Sequence, residues 1–179
     1  MLQILKIRTM TFKVWINEHP PIYPSIDMTQ TSTLESQRSI LWDVNKMAIE
    51  VYRPQNHSYY ALLGLDVLPA KENLVTLDFH SSLNGEVLEM DTLSVNPERV
   101  YSGIDNDYLE AIQTSSINFL KTLDELPHAH LTFSIGAHCE IGSSPKLFSE
   151  LTKLLLDLCF QNKTAYSLSD IEHTVNKYF

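Results

Sequence analysis

The sequence predicts an α+β protein in which two long helices pack on one face of a mixed or antiparallel β-sheet, with a short helix at the C-terminus. Two observations predict this two-layer sandwich. Apolar and polar residues alternate with a period of two through much of the first half of the chain, as in strands. Past the midpoint the period becomes that of amphipathic helices, interrupted by one further strand. The 179 residues, 44% of them hydrophobic, suffice for one domain with a substantial core.

Strands are predicted wherever the alternation is clear and is bounded by turn residues. Asn84-Gly85 is a strong hairpin signal, and Arg53-Pro54-Gln55-Asn56 is a turn signal. The predicted strands cover residues 12–16, 47–52, 59–68, 74–79, 86–95 and 131–135. Most of the sheet is therefore expected from the first half of the chain.

Residues 17–39 lose this periodicity and contain three prolines followed by a stretch rich in Thr, Ser and Gln. They are predicted to form a long loop, either mobile or covering one edge of the sheet. A single domain would then comprise an N-terminal strand and loop extension over 1–39, a core over 40–160 and a C-terminal helix over 161–179.

The starts of the helices are marked by capping residues. Asp105 is the predicted N-cap of the first long helix. Ser144 is the predicted N-cap of the second, and Pro145 suits its first position. Ser169 and Glu172 have the spacing of a capping box for the terminal helix.

Composition excludes several classes of function. The net charge of −9 repels phosphate backbones, so general nucleic-acid binding is disfavoured. Cys139 and Cys159 cannot form a disulfide framework. No apolar run reaches the length of a membrane helix or resembles the core of a signal peptide, so no membrane association and a cytoplasmic location are expected.

Two stretches of the second half carry the spacing of a known family. The matching positions are Ile104, Tyr108 and Ala111, and then Gly136, Ser143, Ser144 and Phe148. Over residues 40–159 the chain thereby resembles domain IV of elongation factor G. Asp105 stands where that family has proline, Gly142 where it has aspartate, and Cys139 where it has histidine. The resemblance implies a four-stranded sheet with two helices on one side, and a role in association with the ribosome.

The turn formed by Gly142, Ser143 and Ser144 is a candidate anion-binding site, because it leads into a helix N-terminus. The alternative interpretation is an ordinary helix cap. His128 and His130 lie two residues apart and would project from the same side of a strand. They are candidate zinc ligands, or else solvated histidines at the end of a strand.

Three further groups have a possible chemical role. Cys139 is a candidate nucleophile, although His138 should point to the opposite face, and a small buried residue is the alternative. Asp78 and His80 share one strand face, and Glu89 and Asp91 share another. They are candidates for acid–base chemistry, or else polar residues of a solvated face.

No cofactor is predicted, and no convergent catalytic set is evident, so the preferred hypothesis is a binding module. It would contact a protein partner or a second copy through an exposed sheet face, an edge strand or the 17–39 segment. The aromatic residues that would form a dimer seam, or else fill the core, are Trp15, Trp42, Tyr59 and Tyr60. The alternatives are a phosphate- or small-molecule-binding protein, possibly an enzyme, that uses the 142–144 turn, and a ribosome- or translation-associated factor.

Overall fold

The computed structural model describes residues 1–54, 59–70, 72–83, 85–88, 92–94, 99–163 and 165–179. In these residues the chain forms one mixed sheet with three helices. The strands are β1 (Leu2–Ile7), β2 (Met10–Ile16), β3 (Met28–Glu35), β4 (Lys46–Arg53), β5 (Tyr59–Pro69), β6 (Leu74–Ser81), β7 (Val100–Ser102) and β8 (Ala129–Cys139). The helices are α1 (Asn106–Leu120), α2 (Pro145–Gln161) and α3 (Leu168–Tyr178).

The strands lie in the order β1-β2-β4-β5-β8-β6-β3, and β7 pairs with the end of β8. Neighbouring strands are antiparallel except β6 and β8, which are parallel because α1 lies between them in the chain. α1 packs on α2, α2 covers β4 and β5, and α3 contacts α2 and β1. The predicted α+β class, with two long helices and a short terminal helix on one sheet face, is confirmed.

The two long helices begin where their caps predict. The side chain of Asp105 accepts a hydrogen bond from the amide of Asp107, and Ser144 accepts one from Leu147. Pro145 occupies the first turn of α2, where its missing N–H costs no helical bond. Local capping chemistry thus determines both helix starts.

The predicted cap of the terminal helix is wrong by two residues. The N-cap is Ser167, whose side chain accepts from the amide of Asp170 while the Asp170 carboxylate accepts from the Ser167 amide. Ser169 and Glu172 have the same spacing but lie inside α3. Lys163 also pairs with Asp170 at 2.7 Å, which favours the earlier start.

The prediction of a loop over residues 17–39 is wrong for its second half. Residues 28–35 form β3, which pairs with β6 along its whole length. Its polar residues give no apolar alternation because β3 is an edge strand and contributes only Leu34 to packing on the core. The three strands within the first 39 residues therefore belong to the same sheet as the rest.

The structure describes only part of the predicted strand over 86–95, and the described residues there form no strand. Val87 forms an isolated bridge with Tyr101, and the strand in this region is the unpredicted β7. Part of this predicted strand, residues 89–91 and 95, lies outside the described residues. So do Asn84 of the predicted hairpin and residues 55 and 56 of the predicted turn.

The face of the sheet opposite the helices is covered at its centre. Residues 17–27, 85–88 and 92–94 contribute Ile22, Leu88 and Leu93 to a second apolar cluster there. The sheet residues of this cluster are Trp15, Ala48, Tyr52, Tyr60, Leu62, Val100, Ile135, Ala137 and Cys139. The prediction that this face is free to contact a partner is therefore wrong for its centre. Trp15 and Tyr60 are core residues, not parts of a dimer seam.

A β-bulge in β8 allows that strand to serve both clusters. The pairing register of β5 and β8 shifts between Gly64 and Leu65, which leaves Ser134 as an extra residue. Before the bulge Phe133 faces the helices, whereas Ile135 after it faces the second cluster. Gly136 then faces Ile104, which precedes α1, and an added Cβ atom would lie 2.5 Å from Ile104 Cγ1.

Asn162 ends α2 in the left-handed conformation, with φ 46° and ψ 49°. Its Oδ1 accepts from the amide of Asp43 at 2.8 Å, and its Nδ2 donates to the carbonyl of Leu41 at 2.7 Å. The end of α2 is thereby attached to the segment that leads into β4.

We expect Asn162→Gly to lower the free energy of unfolding by about 1 kcal/mol, because glycine adopts the left-handed conformation but loses both side-chain bonds. Asn162→Ala should cost about 2 kcal/mol, because alanine adds the steric penalty of that conformation. Urea denaturation of both variants tests the order, and an alanine variant as stable as the glycine variant would contradict it.

Candidate functional site

The turn at residues 142–144 is fastened to the start of β5. Ser143 Oγ donates to the carbonyl of Tyr60 at 2.6 Å and accepts from the amide of Cys139 at 2.9 Å. The amide of Tyr60 donates to the carbonyl of Gly142 at 3.1 Å. Ser144 Oγ is occupied as the cap of α2, 3.2 Å from the amide of Leu147. An anion at this turn would have to displace these bonds, so the geometry favours the helix-cap interpretation.

The two candidate zinc ligands have different partners. His128 Nδ1 lies 2.6 Å from Ser36 Oγ, at the end of β3. His130 Nε2 lies 2.6 Å from Asp78 Oδ2, on β6. Within the described ranges, no group of three His, Cys, Asp or Glu side chains is placed to hold a metal ion. Each histidine instead links β8, or the residue before it, to another part of the sheet.

Asp78 joins three strands through hydrogen bonds. Thr31 Oγ1 on β3 donates to its Oδ1 at 2.6 Å, and His130 on β8 lies at its Oδ2. Burial alone would raise the pKa of Asp78, but the bonds from Thr31 and His130 outweigh burial and hold that pKa below its ordinary value. The stronger partner of Asp78 is therefore His130 across the sheet and not its predicted neighbour His80. Glu89 and Asp91 lie outside the described residues.

Cys139 and His138 lie on opposite sides of β8, as the strand period predicts. Cys139 is buried in the second cluster, with Ser94 Oγ 3.7 Å from its Sγ. His138 packs against Tyr101 and Tyr108 on the helix side. The imidazole is thus not placed to act as a base for the thiol.

A buried ion pair escaped the sequence analysis. Lys13 on β2 and Glu50 on β4 are directly opposite each other in the register, with Nζ and Oε2 3.7 Å apart and Glu50 fully buried. Glu50 Oε1 accepts from the amide of Leu93 at 2.7 Å, which fixes the covering segment to the sheet. Burial, followed by the charge of Glu50, raises the pKa of the Tyr60 hydroxyl well above its ordinary value. The sequence feature that could have indicated this ion pair is the single glutamate within the apolar residues of β4.

The first edge strand, β1, has main-chain groups directed away from the sheet. Met1 exchanges both main-chain hydrogen bonds with Ile16, and the same register continues along β1 and β2. Alternate residues of an antiparallel pair point outward, so the N–H and C=O of Leu2, Ile4 and Lys6 face away from β2. Within the described part of the chain, β2 is the only strand that pairs with β1.

The edge of β1 borders a groove beside α3 that is lined by both apolar and charged residues. This edge groove has a volume of about 230 Å³. Its lining residues are Ile4, Leu5, Lys6, Ile7, Leu168 and Glu172. Ile4 is 58% exposed, and Leu168 on α3 is 56% exposed. Leu2 is also exposed, so large apolar side chains adjoin main-chain groups that no second strand of the described residues pairs with.

The opposite edge of the sheet, β3, is chemically different. Asp27 precedes the strand and Glu35 ends it, whereas its outward residues are mainly threonines. Acidic residues at a strand edge disfavour edge-to-edge pairing. Of the two edges, β1 therefore offers the better apolar binding surface.

No helix in the described ranges combines the length and apolarity that crossing a bilayer requires.

We expect Ser143→Ala to lower the free energy of unfolding by about 1–3 kcal/mol, because the Tyr60 carbonyl and the Cys139 amide lose their shared partner. Ser144→Ala should cost about 1 kcal/mol through loss of the cap. Thermal and urea unfolding without any added ligand measures both losses. An unchanged stability of Ser143→Ala would contradict a structural role for this hydroxyl.

We expect Glu50→Gln to destabilise the protein by about 3–5 kcal/mol, because Lys13 stays buried while its cross-strand carboxylate is lost. The amide oxygen still accepts from Leu93. The double variant Lys13→Met, Glu50→Gln should be more stable than Glu50→Gln alone, since it removes the buried ammonium together with the carboxylate opposite it. A double-mutant cycle by urea denaturation tests this, and purely additive losses would contradict it.

Comparison with protein-family models, with curated proteins and with solved structures finds no match.

Proposed function

We propose that this protein is a binding module that takes up an extended segment of a protein partner as an additional strand at β1, beside α3. The observation that carries the proposal is the row of outward main-chain groups at Leu2, Ile4 and Lys6, directly alongside the edge groove. This is the arrangement that strand addition requires, because main-chain hydrogen bonds supply affinity and a neighbouring groove reads alternate side chains.

The exposed apolar residues define the chemistry of the partner. Ile4 and Leu168 remain more than half exposed at this edge. An incoming strand with an apolar residue at every second position would place those side chains against Leu168 in the edge groove and remove it from water, while its main chain pairs beside Ile4. Such a patch beside an open strand edge is typical of an interaction site. No particular observation in the described residues favours the phosphate-binding or ribosome-associated alternatives.

A peptide array tests this function even while the natural partner is unidentified. Nine-residue peptides with alternating apolar residues are compared with scrambled peptides of equal composition. We expect the alternating peptides to bind, and Ile4→Pro to abolish binding by removing an outward N–H from the edge. Leu168→Lys should weaken binding at least tenfold by placing a charge in the edge groove.

Ile141→Lys is the matched control, since Ile141 is 74% exposed but lies at the far end of β8. This variant should bind the peptides as the unmodified protein does. Circular dichroism verifies that each variant is folded. Equal binding by all four proteins, or equal binding of scrambled and alternating peptides, would contradict strand addition at β1.

A further inference from the structure

We propose that the partner of the β1 edge is a second copy of this chain, paired antiparallel with β1 about a two-fold axis at Ile4. The proposal rests on the proposed function and identifies the segment that adds to the sheet. The two sheets would then form one continuous sheet across the dimer, joined at their β1 strands.

The hydrogen-bonding register of β1 is self-complementary. Its outward positions are Leu2, Ile4 and Lys6, spaced symmetrically about Ile4. With Ile4 opposite the partner's Ile4, Leu2 lies opposite the partner's Lys6, and Lys6 lies opposite the partner's Leu2. Each outward N–H and C=O in the seam then has an acceptor or a donor.

The charges along β1 favour the antiparallel direction. Lys6 and Arg8 lie at one end of the strand. At the other end, the amino group of Met1 pairs with Glu18 at 3.0 Å, and the Glu18 side chain remains 45% exposed. Antiparallel pairing separates the two Lys6 side chains and brings each toward the partner's ion pair of Met1 and Glu18, whereas parallel pairing would place Lys6 beside Lys6.

The exposed side chain of Ile4 is also matched by this arrangement. Ile4 would contact the partner's Ile4 directly, on the face opposite the helices. On the helix side, where Leu5 and Ile7 belong to the main core, this register places Leu5 opposite the partner's Gln3 and Ile7 opposite the partner's Met1.

The β3 edge lacks this complementarity. An antiparallel self-pair centred on Thr31 would bring Asp27 beside the partner's Glu35 at both ends. Like charges opposite each other destabilise a strand pair. The same physical argument that favours β1 as the dimer seam therefore disfavours β3. A seam one strand wide is smaller than a standard interface, so the dimer should be weak and concentration-dependent.

Disulfide trapping tests the register of the proposed dimer. Directly opposed residues of a hydrogen-bonded antiparallel pair have Cα atoms about 5.5 Å apart, within disulfide range. We expect Ile4→Cys to form a covalent dimer under mild oxidation. Leu2→Cys alone and Lys6→Cys alone should not, because each residue is then about 13 Å from its own copy. A mixture of these two variants should crosslink.

Ile141→Cys is the matched control for random collision, since it is at least as exposed as Ile4. The native Cys139 and Cys159 are buried and provide the background in the unmodified protein. Crosslinking of Ile4→Cys at least tenfold faster than Ile141→Cys, with the mixed-pair pattern, supports the dimer. Equal rates, or self-crosslinking of Leu2→Cys at the rate of Ile4→Cys, overturns it.

Failure of this inference is distinguishable from failure of the proposed function. If alternating peptides bind at β1 but Ile4→Cys does not crosslink above the control, the second copy is excluded as the partner and strand addition stands. If neither peptide binding nor crosslinking depends on Ile4, both proposals are overturned.

Discussion

An open β-sheet ends in two strands whose outer N–H and C=O groups have no place in the sheet's own ladder, and these groups constrain what such a protein can do. Here the two edges are β1 and β3. β3 is polar and is bounded by Asp27 and Glu35, whose charges disfavour pairing with another strand. β1 carries exposed apolar residues and borders a groove under α3. The difference between the two edges is the basis for placing the binding function at β1.

The interior of the sheet explains why function is sought at an edge and not on a face. Three helices cover one face, and the centre of the other lies beneath Ile22, Leu88 and Leu93. That second cover is held in part by Glu50, which binds both Lys13 and the amide of Leu93. The candidate turn at Ser143 is likewise used internally, since its hydroxyl connects β8 to β5. The chemically suggestive residues of the central sheet thus have structural partners.

The sequence predicted the features that depend on local chemistry. Asp105 and Ser144 cap their helices within three residues of themselves, so a single chain segment contains the whole signal. The strand β3 was missed because an edge strand with polar residues on both faces shows no apolar alternation. Ser167 and Ser169 both have capping-box spacing, and only backbone geometry distinguishes them.

Pairings between residues far apart in the chain could not be predicted from the sequence in the same way. Lys13 and Glu50 are 37 positions apart in sequence and meet only because the β2–β4 register places them opposite each other. Ser143 reaches the main chain of Tyr60 across an even larger separation. The order of strands, helix, strand and helix in the core was predicted from hydrophobic periodicity, and the resemblance to domain IV of elongation factor G stays a prediction. Its functional implication remains a prediction.

Amide hydrogen exchange along β1, followed by NMR at two protein concentrations, tests the central claim most directly. In dilute solution the amides of Gln3, Leu5 and Ile7 should exchange slowly and those of Ile4 and Lys6 rapidly, because only the former face β2. Raising the protein concentration should slow hydrogen exchange at the Ile4 amide, because the proposed dimer pairs it. An Ile4 amide that is equally protected at every dilution would show that β1 is not an open edge, and would contradict the account.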